Sequence, residues 1–435
     1  MYMTDKEGGC KMTQEITPDV IGQEFDRQMD LADPFAVMRQ QFDDYSRGPL
    51  VIGLGAVGGG GAGEKARGIL QQFTEDDVPY IVIAMEGYLS KNPLIATELS
   101  KGGTNLIVLQ DGLAIGDQYQ AVSQTISQLC QTRSLSGVLS LGPRTYFPEG
   151  ARRNGLPAMI IDGAVPDMWS DSANNGSVNT EYYTAAYESS LYATTCGFSG
   201  WLPPRRTYPP NMKMRVVGQP FSKEKIAYLR QLRNTSSKDA RAEIVKSGAI
   251  DGLTEDCLIL VPTMDQVYLN PMAFSINGGF LTMPQFGQTY SLMAEILLSS
   301  ARLAGEIQRS VGVYVRPGIL RKMLEPILSG IDSSKVLLLG PADNDFISND
   351  QWLLLRKAGI AIGRAPLCVS TAEALGMGDY QITTAVPGRT GDGISYMTEA
   401  EGLEVLDKKK VTRTLFPGES MLEAVRDVTL IKGLV

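Results

Sequence analysis

Leu50-Val-Ile-Gly-Leu54-Gly-Ala-Val-Gly58-Gly59-Gly60-Gly61-Ala-Gly63-Glu64 is the stretch whose reading decides the fold. Leu50 to Leu54 is a short apolar run of the kind that forms a buried strand. Gly55 to Gly63 reads as a glycine-rich turn, and Glu64 to Phe73 as a helix. Strand, turn and helix in direct succession make the first half of a βαβ unit. Moving outward, strands are expected at Tyr80–Met85, Asn105–Leu109, Gly137–Leu141 and Ala158–Ile161. Asp117–Gln131 carries Val122, Ile126 and Leu129 at helical spacing. Such alternation predicts a mostly parallel sheet.

From Ser170 to Met214 the rhythm breaks into Tyr-rich and Pro-Pro segments, with an irregular helix expected near Glu181–Thr194. A short strand, Met214–Val217, then runs into Gly218-Gln219-Pro220, which reads as a hinge because proline fixes φ and ends the element. A second alternating set follows. Its expected strands are Cys257–Pro262, Val336–Gly340, Ile360–Gly363 and Gln381–Val386. Its expected helices are Asp350–Ala358, one from Ser370, Gly393–Leu406 and Ser420–Leu430, with a long Met-rich helical stretch over Met272–Gly330. The expected division is a polar extension over 1–47 (a tail plus one or two short helices), one α/β domain over 48–217, a second over 218–416, and a terminal helix over 417–435. Ligands of doubly wound sheets sit at the carboxyl ends of the strands.

The chain has 435 residues, which at ~100–200 per domain agrees with two or three domains. Its net charge is −8, which argues against nucleic acid and anionic membrane as partners. It has no histidine, so Ser-His-Asp and Cys-His catalysis and His-ligated metals are excluded. A side-chain base must therefore be Asp, Glu, Tyr, Lys or Cys. Five widely spaced cysteines without CxxC read as reduced thiols and point to a cytoplasmic location. The polar N-terminus resembles no signal peptide, and no window offers the ~18 uninterrupted apolar residues of a membrane span.

Three loops are candidate sites. Gly58, Gly59, Gly60 and Gly61 can bring backbone amides close to an anion or an acceptor. The sequence is neither G-x-G-x-x-G nor a P-loop, and a plain glycine turn is the alternative. Gly363-Arg364-Ala-Pro-Leu-Cys-Val-Ser370-Thr371-Ala-Glu373 places Ser and Thr at a helix start after a strand. The helix amides favour a phosphate, and Glu373 can accept two ribose hydroxyls or merely complement the helix dipole. Val386-Pro-Gly388-Arg389-Thr-Gly391-Asp392-Gly follows the next strand, so Asp392 can bind sugar hydroxyls and Arg389 a phosphate, unless it is a surface turn.

These features resemble GT-B glycosyltransferases, of the group that includes the peptidoglycan N-acetylglucosaminyltransferase and diacylglycerol glycosyltransferases. The resemblance rests on the Gly58–Gly63 loop, on Val216-Val-Gly-Gln-Pro220, similar to the family hinge V-T-G-N-P, and on Ser370–Leu375 with the following loop. It implies an α/β fold of two doubly wound Rossmann-like domains facing across a cleft, with the C-terminal helix packing back on the first. It implies a first, acceptor-binding domain and a second domain that binds the nucleotide-sugar donor through Gly363, Arg364, Ser370, Thr371, Glu373, Gly388, Arg389, Gly391 and Asp392. The family commonly has a His in the first loop, where Ala62 or Gly63 stands here. The loop after Cys257–Pro262 lacks the usual glycines, and Met272–Gly330 resembles an insertion.

The implied activity is transfer of a hexose from a nucleotide-diphosphate sugar to a small soluble acceptor, with no other cofactor and no metal. The candidate bases rank Asp111, after the strand Asn105–Leu109, then Glu64, beside the glycine loop, then Asp162, after the strand Ala158–Ile161. For each the alternative is a cap or a structural carboxylate. The retaining pattern Glu-x7-Glu fails because Ala365 stands where the first Glu belongs, so the inverting type is expected. Tyr182, Tyr183, Tyr187, Tyr192, Phe198, Trp201, Phe274, Phe280 and Phe286 can shape an acceptor pocket or serve as core. The expected partners are the nucleotide sugar and the acceptor, with a homodimer as a further candidate. The other readings are a nucleotide-sugar 2-epimerase or hydrolase of the same fold and a non-catalytic nucleotide-sugar-binding subunit.

Overall fold

A computed structural model describes residues 16–55, 60–91, 95–96, 99, 105–110, 115–142, 145–162, 185–195, 211–263, 283–317, 319–342, 347–364, 369–384, 393–416 and 418–434. The chain opens with α1 (Pro18–Met29) and α2 (Pro34–Gln41). The first unit then runs β1 (Leu50–Leu54), α3 (Gly60–Glu75), β2 (Tyr80–Met85), α4 (Glu86–Lys91), β3 (Asn105–Leu109), α5 (Ile115–Thr132), β4 (Gly137–Leu141), α6 (Tyr146–Arg153), β5 (Ala158–Asp162), β6 (Ser190–Thr194) and β7 (Lys213–Val216). Its seven strands are all parallel and lie in the order β3-β2-β1-β4-β5-β6-β7.

The sheet buries both faces, as parallel sheets do. Leu50, Ile52 and Leu54 join Val82, Ala84, Leu139 and Leu141 in one core, while Val51 joins Ile81, Ile83 and Val138 in another. This is the period of two that alternates side chains across a strand. Gly53 lies on the second face against the ring of Phe147, where a Cβ has no room.

The second unit follows with α7 (Lys223–Arg233), α8 (Ser237–Lys246), β8 (Ile250–Asp251), β9 (Leu258–Pro262), α9 (Met283–Ile307), β10 (Val311–Tyr314), α10 (Ile319–Leu328) and β11 (Val336–Pro341). It continues with α11 (Asn349–Ala358), β12 (Ile360–Arg364), α12 (Val369–Gly376), β13 (Ile382–Thr384), α13 (Gly393–Lys408), β14 (Arg413–Leu415) and α14 (Met421–Ile431). Its strand order is β14-β13-β12-β9-β10-β11-β8, parallel except for β8.

Four expectations are corrected by the packing. The C-terminal helix does not return to the first unit. The stripe Met421, Ala424, Val425 and Val428 of α14 is buried in the core of the second sheet, and Lys432 pairs with Asp379 there at 2.5 Å. The N-terminal helix crosses instead. Thr17 caps α1, with Pro18 in its first turn, and Ile21 and Phe25 enter the core of the second unit. Residues 16–47 are therefore not a polar extension, since α2 sends Val37 and Met38 into the first core. The stretch over Met272–Gly330 is no insertion, because it holds β10, which pairs with both β9 and β11. Ser190–Thr194 is a strand between β5 and β7, not the end of a helix.

The units are joined at two crossings that lie side by side. Val217 forms a parallel bridge with Ala32, and the Gly218 amide donates to the Ala32 carbonyl at 3.1 Å. The expected hinge at Gly218–Pro220 is thus a paired strap. Gly68 of α3 packs on it so closely that a Cβ would collide with the Pro220 carbonyl. No described helix is long and apolar enough to cross a membrane.

Candidate functional site

Each sheet reverses its strand order once. In the first, β1 lies between β2 and β4; in the second, β9 lies between β10 and β12. At such a reversal the connections leave in opposite directions and open a crevice at the carboxyl ends of the strands. Two sequence-predicted loops fall at these places. The glycine segment follows β1, and Gly60 and Gly61 open α3. Gly363 and Arg364 end β12, and Ser370 and Thr371 are the second and third residues of α12. The Thr263 amide after β9 donates to the Ile362 carbonyl at 2.9 Å, so β9 and β12 stay together to the mouth of the crevice.

The two helices that leave the reversals meet: α3 packs against α12. Their carboxylates, Glu64 and Glu373, share one cation. Lys225 Nζ lies 3.2 Å from Glu64 Oε2 and 2.8 Å from Glu373 Oε1. Arg356 Nη1 holds the other Glu373 oxygen at 2.5 Å, and its Nη2 donates to the Ser370 carbonyl. The Glu373 side chain is 4% exposed and that of Arg356 0%. Burial pushes the Glu373 carboxyl up, but Lys225 and Arg356 outweigh it and hold the group below the usual carboxylate range. Burial pushes Lys225 down, and Glu373 and Glu64 more than restore it.

Glu64 is placed differently. Its side chain keeps 16% exposure. Burial raises its carboxyl above the usual value, Glu373 adds to the rise, and Lys225 and Arg67 only partly oppose it. A polar cleft of about 180 Å3 opens beside it, bordered by Arg67, Ser222, Glu224, Lys225, Tyr228 and Asp350 among others. That is below the ~300–1,000 Å3 of whole-ligand pockets and fits a small polar group.

Asp162 ends β5 as expected and is 5% exposed. Its carboxylate lies 3.6 Å from Lys65 Nζ and accepts from the Tyr192 hydroxyl at 3.1 Å. Glu373 likewise has both oxygens engaged, and it stands one residue past the first turn of α12, turned inward. Neither carboxylate is presented to a ligand as the sequence reading expects. Asp111, Gly58, Gly59, Gly388, Arg389, Gly391 and Asp392 lie outside the described residues, as does the side chain of Arg364.

No family model matches the chain, and no curated protein matches it in sequence. Solved structures do match in fold. A glycosyltransferase from Rickettsia africae aligns over 89% of this chain and 90% of its own, at 11% identity and a TM-score of 0.53. The chain has the GT-B fold. It is also similar to MurG of Acinetobacter baumannii, with 12% identity, 89% and 92% of the two chains covered and a TM-score of 0.47. A UDP-GlcNAc 2-epimerase from Neisseria meningitidis shows 13% identity, 89% and 99% coverage and a TM-score of 0.45.

Within this GT-B frame, sequence reading missed Lys225 and Arg356. Ser222, whose side chain accepts from the Lys225 amide, is a legible helix cap, but nothing near it shows which carboxylates its helix meets. Tyr187 and Tyr192 stack at 5.6 Å in a buried cluster and are core, not pocket wall. The other expected pocket aromatics lie outside the described side chains.

Proposed function

We propose that this GT-B chain is a glycosyltransferase that moves a hexose from a nucleotide-diphosphate sugar to a small soluble acceptor. The observation that carries the reading is the meeting of α3 and α12. It brings the carboxylate next to the glycine turn of one unit to the helix that follows the strand reversal of the other. The likeness to a glycosyltransferase in fold supports it.

In this reading the acceptor hydroxyl attacks the anomeric carbon from the face opposite the diphosphate. The new C–O bond forms as the bond to the leaving phosphate oxygen breaks, and the configuration inverts. Glu64 takes the hydroxyl proton. Its raised carboxyl suits a base that works near neutral pH. The diphosphate leaves against the start of α12, where backbone amides, Ser370, Thr371 and Arg364 replace a metal. Asp111 stays the alternative base. Gly58–Gly61 remain assigned to the acceptor, and Gly363, Gly388, Arg389, Gly391 and Asp392 to the donor. Glu373 holds α12 in place. A cytoplasmic location is part of this reading, with a homodimer as a candidate form.

A second reading, a nucleotide-sugar-binding subunit without catalysis, draws on the engagement of Asp162 and Glu373 by buried partners. One experiment tests the binding common to both: a thermal-shift panel of UDP, GDP, TDP, CDP and ADP. A ligand at 100 times its Kd stabilises by ~2.7 kcal/mol, several degrees for domains of this size. A selective shift by one nucleotide, reduced in Ser370→Ala, is the expected result. No shift by any of them on folded protein sinks both readings. Turnover with an acceptor then separates the transferase from the silent subunit.

A further inference from the structure

We propose that Lys225 is a positioning residue that joins the two carboxylates of the cleft and holds Glu64 of the first unit in register with α12 of the second. What Glu64 does there rests on the transferase reading; what Lys225 does rests on geometry alone.

Lys225 follows the strap between the units by a few residues. Its side chain is 8% exposed. An ammonium has three donors and no acceptor, and two of the three are directed at carboxylates from different units. Its backbone is fixed by the Ser222 cap at 3.1 Å, and its charge lies 5.9 Å from the centre of the Phe221 ring. Arg356 occupies the far oxygen of Glu373, so that carboxylate is pinned from both sides. Glu64 therefore meets a cation whose position is set by the second unit.

Among the described residues, charged or titratable groups act on Glu64 from four elements or turns. They are Lys225 from α7, Glu373 from α12, Arg67 one turn along α3, and Tyr88 from α4. Lys225 and Glu373 act in opposite senses: Glu373 favours the protonated acid and Lys225 the carboxylate. A purely space-filling Lys225 would leave Glu64 indifferent to its charge. A positioning Lys225 makes the ionisation of Glu64 depend on both neighbours, with opposite signs.

The test is a pH titration of the full chain labelled with 13C at the glutamate carboxyl carbons and followed by NMR. The Glu64 signal is assigned by its loss in Glu64→Gln. In Lys225→Met the Glu64 midpoint is expected to rise by about one pH unit or more, as for loss of an opposite charge within ~4–6 Å. In Lys225→Arg it stays near the parent value, and in Glu373→Gln it falls. An unmoved midpoint in folded Lys225→Met overturns the proposal, as does movement in the same direction in Lys225→Met and Glu373→Gln. If Lys225→Met does not fold, the Lys225→Met/Glu373→Gln double variant removes the pair together. Its Glu64 midpoint must then lie above that of Glu373→Gln alone, and equality overturns the proposal. The titration needs neither donor nor acceptor. A silent nucleotide panel would end the transferase reading and leave this result standing, and the reverse holds too.

Discussion

Glu64 and Glu373 occupy matching places. Each is the fifth residue of the helix that follows a strand at the reversal of its sheet, in α3 from Gly60 and in α12 from Val369. Each touches Lys225. Yet burial carries one carboxyl up and two cations carry the other down. The difference teaches that position in the fold does not assign a role. Glu373 is closed between Lys225 and Arg356, where a carboxylate acts as a tie. Glu64 faces two cations, Lys225 and Arg67, that do not outweigh its burial and the like charge of Glu373, and it keeps an opening to the cleft, which suits the base of the proposed reaction. A pair whose environments push their ionisation apart is the usual arrangement of acid–base sites.

The largest expected effect lies in turnover. Glu64→Gln is expected to lower kcat by about 10²–10⁴-fold, the range for loss of a general base. The nucleotide-dependent thermal shift should persist in that variant. Full turnover in Glu64→Gln would move the role to Asp111 and break the contrast.

Stability should show the contrast reversed. Arg356→Met leaves a buried carboxylate with one partner, and breaking a buried pair costs about 3–5 kcal/mol. Urea denaturation of Glu64→Gln should differ from the parent by about 1 kcal/mol or less. Equal losses in the two variants would mean that both carboxylates are ties.

The smallest and sharpest effect is in pH. The folded-state value of Glu373 is depressed, so its contribution to stability is present above the ordinary carboxylate value of ~4.3 and is lost as pH falls through the lower folded value. Glu64 has a raised value, so its contribution declines as pH climbs from ~4.3 through the folded value. Denaturation midpoints of Glu64→Gln and Glu373→Gln, each subtracted from the parent between acid and neutral pH, should therefore slope in opposite directions. Parallel slopes would remove the distinction.

Much of this architecture was legible locally. The runs at Leu50–Leu54, Tyr80–Met85 and Gly137–Leu141 appear as strands with the expected bounds, because a buried parallel strand is written in five or six consecutive residues. Val311–Tyr314 was hidden between two helices, its four residues too few to stand out. Short helices were expected among the polar residues before Gly48, but the packing of α1 was not, although Thr17-Pro18 and the Ile21–Phe25 spacing carry the signal of a capped amphipathic helix. The chain pattern ranked Asp111 ahead of Glu64 as candidate base, and nothing in that pattern shows the partners, Lys225 and Glu373, that Glu64 meets.

The sequence by itself determined the class of the protein: strands and helices in alternation, a glycine turn after the first strand, and no histidine chemistry. Those properties depend on residue type and on spacings shorter than a helix. Tertiary structure decided the order of the strands, the crossing by α1 where α14 was expected, and the partners of the carboxylates. Glu64 and Lys225 are 161 residues apart in the chain, and they meet only because two sheets and a double strap bring their helices together. Burial and charge then act on that meeting, and no local pattern encodes it.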